Sequence, residues 1–319
     1  MADVTAMPGP ALVDLSGDPR RLRRERRLRR FFLAAGVSSL VITAAIVLSI
    51  ATDAFTFITN VDLDRLWTDP HRWAPRVGQY DLLTIFTASF LITAVAMIVA
   101  VPLGLGSAVY LSEYARPRVR RLVKPILEVL AGIPSIVLGF FAIEWLGPNI
   151  VQEVFADADA FSMAAAGLGV GLLVTPLVAS VSEDAMRAVP NALREASYGL
   201  GAKRVTTVVR VVFPAAISGI VAAIILAASR AIGETMVVLL AAGAYGQADL
   251  STNVADTGLT ITAAMASLVA GTDAVASGRG GGSGQAVNSL YFLGIVLFGF
   301  TMVLNLIGDR FVRRVREKY

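Results

Sequence analysis

The chain contains no cysteine and only one histidine, His71, among its 319 residues. The lack of thiols excludes disulfides, thiolate metal sites and cysteine-based redox chemistry, and a lone histidine cannot build a metal cluster. The sequence also has no G-x-x-x-x-G-K-[ST] phosphate loop, which argues against ATP binding by that route. No metal site is therefore predicted for this chain.

Charged residues are scarce as well. They make up only 16% of the chain, against about 25% in average soluble domains. Hydrophobic residues account for 55%, and the mean hydropathy is +0.68. Several uncharged runs reach the length of about 20 residues that a helix needs to cross a bilayer. Because these runs are continuously apolar and do not alternate, they predict an all-α membrane protein and not a barrel.

Six spans are predicted, and the basic residues orient them. The spans lie within residues 31–52, 82–111, 125–146, 160–182, 215–243 and 286–307. Residues 20–30 hold eight arginines, a run that also suits nucleic-acid binding, but it directly precedes the first uncharged run. Both termini and the loops 112–124 and 184–214 are basic, whereas the other loops are mixed or acidic. The positive-inside rule then places both termini in the cytosol.

Two regions depart from plain membrane spans. The third span contains Gly132-Ile133-Pro134-Ser135, and it is the weakest by hydropathy because Glu128 and Glu144 flank only fifteen uncharged residues within it. Proline removes a backbone hydrogen bond, and the carbonyls that it frees are tolerated in a membrane only beside protein or water. The outer loop 244–285 is predicted to be long and polar and to end in a flexible glycine-rich stretch, SGRGGGSG.

The fifth span holds a charged pair, Arg230 and Glu234. Their spacing of four residues puts both on one face of a continuous helix. Arg230 follows Pro214 by sixteen residues, about 24 Å along a helix, which places it inside the hydrocarbon. Burying an arginine there costs about 2.5–3.5 kcal/mol, more than the roughly 0.2–0.5 kcal/mol of an intrahelical pair. A structural ion pair is the alternative, but a water-lined pathway for an anion explains the charges better.

The loop before this span carries a recognisable spacing. Glu195-Ala196-Ser197, then Gly201, then Val211-Val212-Phe213-Pro214 resembles the EAA loop of ABC importer permeases, with mild departures at positions 197, 211 and 213. In that family the loop folds as short helices that dock into a groove on the ATPase subunit. The resemblance therefore assigns Glu195, Ala196, Gly201 and Pro214 to ATPase coupling.

Further stretches resemble one branch of that superfamily. Residues 230–236, RAIGETM, are similar to a motif of phosphate ABC importer permeases, and Met236 favours the C-type subunit (PstC) over the related A-type. Residues 110–115 (YLSEYA) and 128–139 (EVLAGIPSIVLG) are similar to the same family. The resemblance assigns Arg230, Glu234, Thr235 and Ser135 to the substrate pathway, where Arg230 attracts the anion and Glu234 orients Arg230 and tempers its affinity.

The resemblance implies a type I (MetI-like) permease in the cell membrane that takes up inorganic phosphate. Its implied partners are a second, A-type permease, two copies of an ABC ATPase and an extracytoplasmic phosphate-binding protein; no cofactor and no catalytic residue are expected. The predicted organisation is a disordered basic tail (1–30), a first span with its outer loop (31–81), a permease core (82–310) containing the EAA loop (184–214), and a basic tail (311–319). Three alternatives stay open: a permease for molybdate or sulfate, an ion-gradient-driven secondary transporter, and a membrane sensor of phosphate.

Overall fold

The structure, a computed structural model, describes residues 19–62, 64–68, 71–270 and 285–316. The first 18 residues of the predicted tail and residues 271–284, which contain the glycine-rich stretch, lie outside the described residues. Within the described part, six helices are long and apolar enough to cross a membrane, which confirms the predicted number of spans. They are Arg24–Asn60, Leu82–Tyr114, Ser135–Val154, Met163–Arg187, Arg204–Ile232 and Gln285–Arg310.

Helices account for most of the described chain, and three very short strands accompany them. In chain order the elements are α1 (Pro19–Asn60), α2 (Arg65–Thr68), β1 (Arg72–Ala74), β2 (Gln79–Tyr80), α3 (Leu82–Val109), α4 (Pro117–Leu130), α5 (Ser135–Phe141), α6 (Gln152–Val154), α7 (Met163–Arg187), α8 (Asn191–Gly199), α9 (Arg204–Thr207), α10 (Phe213–Ile232), α11 (Met236–Ala241), β3 (Ala248–Asp249), α12 (Ile261–Ala270) and α13 (Gln285–Arg316). Wider π-helical turns continue two of these helices: Tyr110–Tyr114 follows α3, and Ala142–Val151 follows α5. A third π-helical turn, Val208–Val212, precedes α10.

The chain divides into two compact units, one ending at Ser49 and the other beginning at Ile50. In the first unit, residues 19–49 are helical, and the side chains described there are largely exposed. Residues 19–30 were predicted to belong to a disordered tail, but they form the first turns of α1. Arginine is a good helix former, and this run continues directly into the apolar span, so one helix covers both.

In the second unit, α3 and α7 pack closely and form the centre of the core. A Cβ atom added at Gly167 would lie 2.6 Å from Cβ of Val95, so only glycine permits this approach. Small residues commonly allow membrane helices to pack at such short range. Around this pair, α10 packs against α7, and α13 packs against α10.

The segments before the second span and after the fifth span are joined by a three-stranded sheet with the order β2-β1-β3. Trp73 of β1 pairs with Tyr80 on one side and with Ala248 on the other, and both aromatic side chains are buried. Within the loop predicted to be polar, α12 is apolar, and Ile261 and Leu268 are buried in the core. That prediction was therefore wrong for this segment, because ten apolar residues are too few for a span but enough for a buried helix.

The third and fifth spans are both interrupted. The third was predicted at residues 125–146, but α4 ends at Leu130 and the spanning segment is Ser135–Val154, with Glu144 exposed on it. Pro134 stands immediately before α5, a place where its missing N–H costs nothing. In the fifth span, α10 ends at Ile232 and α11 begins at Met236.

Candidate transport pathway and coupling surface

Arg230 lies in the last turn of α10 with its side chain exposed. Leu226, one turn earlier on the same face, is 48% exposed, whereas Ala227 and Ala231 are buried in the core. Within the described part of the chain, Arg230 makes no side-chain hydrogen bond and no ion pair. Its guanidinium therefore points away from the chain's own core. On a membrane-crossing helix, such a charge needs water, an anion or another subunit beside it.

Glu234 makes a contact that the sequence analysis did not predict. Its Oε1 accepts hydrogen bonds from the backbone N–H groups of Met236 at 3.1 Å and Val237 at 3.4 Å, and these groups open α11. Because α10 has already ended, Arg230 and Glu234 do not share a helix face, and no ion pair joins them. The expectation of a shared face was wrong. The carboxylate satisfies backbone donors that a broken helix leaves free.

Helices α5 and α11 lie side by side. A Cβ atom added at Gly139 of α5 would meet Leu240 Cβ of α11 at 3.2 Å. Ala142 and Val237 both pack against Gly169 of α7. Farther along, Ala241 O accepts a hydrogen bond from Ser162 N, while Gly147 packs against Ala160, so both segments run toward the beginning of α7. The two interrupted spans thus resume next to each other and in the same direction.

This arrangement brings three of the predicted pathway residues to neighbouring helix starts. Ser135 is the first residue of α5, and Glu234 and Thr235 directly precede α11. Thr235 Oγ1 lies 3.4 Å from Gly233 O, a long hydrogen bond within the interruption. Arg230 is on the turn of α10 just before that interruption. These residues therefore stand at the two breaks in the helices, and no ion pair joins Arg230 to Glu234.

The loop at residues 184–214, called the coupling loop below, folds as two short helices, α8 and α9, which confirms the expectation for this segment. Gly201 lies between them with a φ of +77°, a backbone conformation that favours glycine. Glu195 and Ala196 are exposed on α8, and Pro214 stands in the first turn of α10. The exposed apolar side chains of this loop are Leu193, Tyr198, Leu200, Val205 and Val209, with Leu200 90% exposed. This surface has the exposed apolar character of a protein-binding site.

Sequence reasoning missed the ion pairs that hold this loop. Arg194 of α8 pairs with the buried Glu113 at 2.9 Å, and Lys124 of α4 pairs with the buried Glu183 at 2.9 Å. A second partner of Lys124, Asp184 at 2.6 Å, raises the pKa of this lysine through their hydrogen bond, although partial burial acts in the opposite direction. One signal was present in the sequence: Glu113 is a lone acid next to a strongly basic loop.

Comparison with known proteins agrees with this architecture. Residues 100–317 match the family described as binding-protein-dependent transport system inner membrane component. The chain belongs to this family. As a permease subunit it is a transport component and not an enzyme, and its six apolar helices make it a multi-pass membrane protein.

Similar permeases include both types of phosphate transport subunit. The chain is 31% identical to the phosphate transport system permease protein PstC 1 of Mycobacterium tuberculosis over 259 residues, which are 76% of this chain and 75% of that protein. It is 43% identical to PstA 1 of the same organism over 150 residues, 47% of this chain and 46% of that protein. The chain spans 58% and 47% of the length of the first curated relatives that it matches.

Solved transporters share the fold. A permease chain of a bacterial alginate ABC transporter superposes with a TM-score of 0.63 and 14% identity, covering 93% of this chain and 97% of that one. A chain of a methionine ABC transporter superposes with a TM-score of 0.50 and 19% identity, covering 73% and 93%. The predicted MetI-like fold is thereby confirmed.

Proposed function

We propose that this permease forms half of the membrane pathway of an ATP-driven importer of inorganic phosphate. Its partners would be a second permease, two copies of an ABC ATPase and an extracytoplasmic phosphate-binding protein, with both of its own termini in the cytosol. The names of the PstC and PstA relatives support the substrate. The basic residues of loop 112–124 (the basic elbow) and of loop 184–214 (the coupling loop) support the orientation.

The observation that carries the substrate class is the unpaired, exposed Arg230 at the interruption of the fifth span. Glu234 does not neutralise it, because its carboxylate is engaged by the N–H groups of α11. A fixed cation on the face opposite the core suits an anion that passes between this chain and a second permease. Ser135 and Thr235 would add hydroxyl groups, which donate hydrogen bonds to oxyanions.

Uptake into reconstituted vesicles tests the proposal. The complete complex, with its ATPase and binding protein, should accumulate radiolabelled phosphate when ATP is supplied, and a proton ionophore should leave the initial rate unchanged. Excess molybdate or sulfate should compete weakly. Uptake driven by an ion gradient without ATP would favour a secondary transporter, preference for another oxyanion would change the substrate, and binding without uptake would favour a sensor.

A further inference from the structure

Glu113 is an acidic residue buried at the cytosolic end of the second span. It lies in the π-helical turn that ends α3, and its side chain is only 4% exposed. The chain that follows is strongly basic from Arg116 to Lys124. A buried carboxylate is costly unless it is paired and hydrogen-bonded. The residue that pairs with Glu113 therefore indicates the role of this buried carboxylate.

Arg194 of the coupling helix α8 supplies that partner. Its Nη2 lies 2.9 Å from Glu113 Oε1, and its Nε lies 3.3 Å from the same oxygen. The guanidinium also donates hydrogen bonds to the carbonyl oxygens of Met186 at 2.8 Å and Val189 at 2.6 Å. These carbonyls lie at and just beyond the end of α7, where a helix leaves acceptors without partners. One guanidinium thus joins the second span, the fourth span and the coupling loop.

The second coupling helix is fixed to the same turn. Arg204 of α9 donates a hydrogen bond to the backbone carbonyl of Glu113, and its guanidinium lies 4.9 Å from the ring centre of Tyr114. The hydroxyls of Ser197 and Thr207 lie 2.9 Å apart and join α8 to α9. Both helices are therefore anchored to the turn at Glu113, whereas Glu195 and Ala196 stay exposed.

We infer that Glu113 is a positioning residue for coupling: through Arg194 and Arg204 it holds α8 and α9 against the ends of the second and fourth spans. This inference rests on the proposed coupling of the loop to an ATPase. Along the chain, the loop follows the fourth span (α7) through residues 188–190 and continues into the fifth span through α9 and the π-helical turn before α10, but it has no direct chain connection to the second span. Displacement of α8 by the ATPase then reaches the second span by way of the Glu113–Arg194 pair.

The first test replaces Glu113 by glutamine in the assembled complex. Glu113→Gln should lower ATP-driven uptake and substrate-stimulated ATP hydrolysis by about tenfold, because a buried charge pair is broken. Glu128→Gln is the matched control. Glu113 and Glu128 both line one groove of about 890 Å³, but Glu128 is exposed and makes no ion pair within the described residues. Uptake by Glu113→Gln equal to that of this control would overturn the inference.

The second test replaces the ion pair by a covalent link. The chain has no cysteine, so the double variant Glu113→Cys/Arg194→Cys, assembled with cysteine-free partners, offers one thiol pair to a short bifunctional reagent. The untreated variant should be uncoupled, and cross-linking should restore uptake to within about twofold of wild type, since the link again fixes the loop. If the charge of Glu113 served another purpose, cross-linking would not restore uptake.

The outcomes separate this inference from the proposed substrate. If neither variant assembles and cross-linking rescues nothing, Glu113 serves folding alone and the inference is wrong. If the wild-type complex hydrolyses ATP under stimulation but does not import phosphate, the substrate proposal fails. Stimulated ATP hydrolysis then still reports on the Glu113–Arg194 pair.

Discussion

The carboxylate of Glu234 accepts a hydrogen bond from the N–H of Met236 at 3.1 Å, so it caps the N-terminus of α11. Glu234→Gln keeps an oxygen acceptor at this place, whereas Glu234→Leu removes it. We expect Glu234→Leu to lower the free energy of unfolding by about 1 kcal/mol, the usual effect of losing a helix cap, and Glu234→Gln to lower it by much less. Thermal unfolding of the purified protein in detergent measures both. Equal stability of the two variants would contradict the capping role.

Arg230→Gln tests the anion pathway. The change removes the positive charge and keeps much of the length, and uptake should fall roughly 30-fold, corresponding to a loss of about 2 kcal/mol of anion attraction. Assembly should persist, because Arg230 is exposed and its side chain makes no hydrogen bond or ion pair within the described residues. Arg118→Gln is the matched control, since Arg118 is exposed in the elbow and unpaired in the described chain. Radiolabelled phosphate uptake compares the two.

The double variant Arg230→Gln/Glu234→Gln asks whether the two charges depend on each other. Because they form no ion pair in this structure, their effects should add, and uptake should stay as low as in Arg230→Gln. A structural bridge would behave differently, since removal of both charges would restore uptake. Near-normal transport by the double variant would rule out the pathway role of Arg230.

Glycine is required at position 201 because of the positive φ there, and not because a larger side chain would clash with its neighbours. A Cβ atom at this position would meet nothing within 4 Å, but φ is +77°. Gly201→Val should cost roughly 1–2 kcal/mol in this conformation and reduce stimulated ATP hydrolysis. Gly201→Asn should retain most of the activity, because asparagine tolerates positive φ. Equal loss in both variants would mean that bulk at this surface, and not strain, disturbs coupling.

Labelling of introduced cysteines tests the orientation. Thr252 is exposed in the outer loop, whereas the hydroxyl of its neighbour Ser251 is bonded to Asp256. A membrane-impermeant thiol reagent added outside intact cells should modify Thr252→Cys and leave Arg118→Cys unmodified. The reverse labelling pattern would invert the proposed topology.

Lys124 gives a prediction about pH. Its pKa is raised above the ordinary value of 10.5 chiefly by Asp184. The stability it contributes is therefore complete below about pH 10.5 and is lost as pH rises through the higher folded pKa. The difference in unfolding free energy between wild type and Lys124→Met should stay constant from about pH 7 to pH 10 and shrink above that range. A difference that changes near neutral pH would point to another group.

The sequence alone predicted the features that follow from composition and short spacing. Uncharged runs predicted the number of spans, although the third lies at Ser135–Val154 and not at residues 125–146, and the interval from Glu195 to Pro214 predicted the two coupling helices. The interruption at Gly233 was missed because residues 230–236 contain no proline and fit a helical pattern. The Glu113–Arg194 pair was missed for another reason: the two residues lie 81 positions apart, and a contact over that separation depends on the tertiary fold and leaves no local spacing to read.

The small sheet on the outer side has a mechanical consequence. It joins the segment before the second span to the segment after the fifth, through the pair Trp73–Ala248 and a hydrogen bond from Leu250 N to His71 O at 2.8 Å. The strand pairing and this hydrogen bond restrain the neighbouring ends of the two spans against moving apart. In the proposed complex with a second permease, opening on this side would then widen the gap between the two subunits, because the strands resist a gap between the second and fifth spans of this chain.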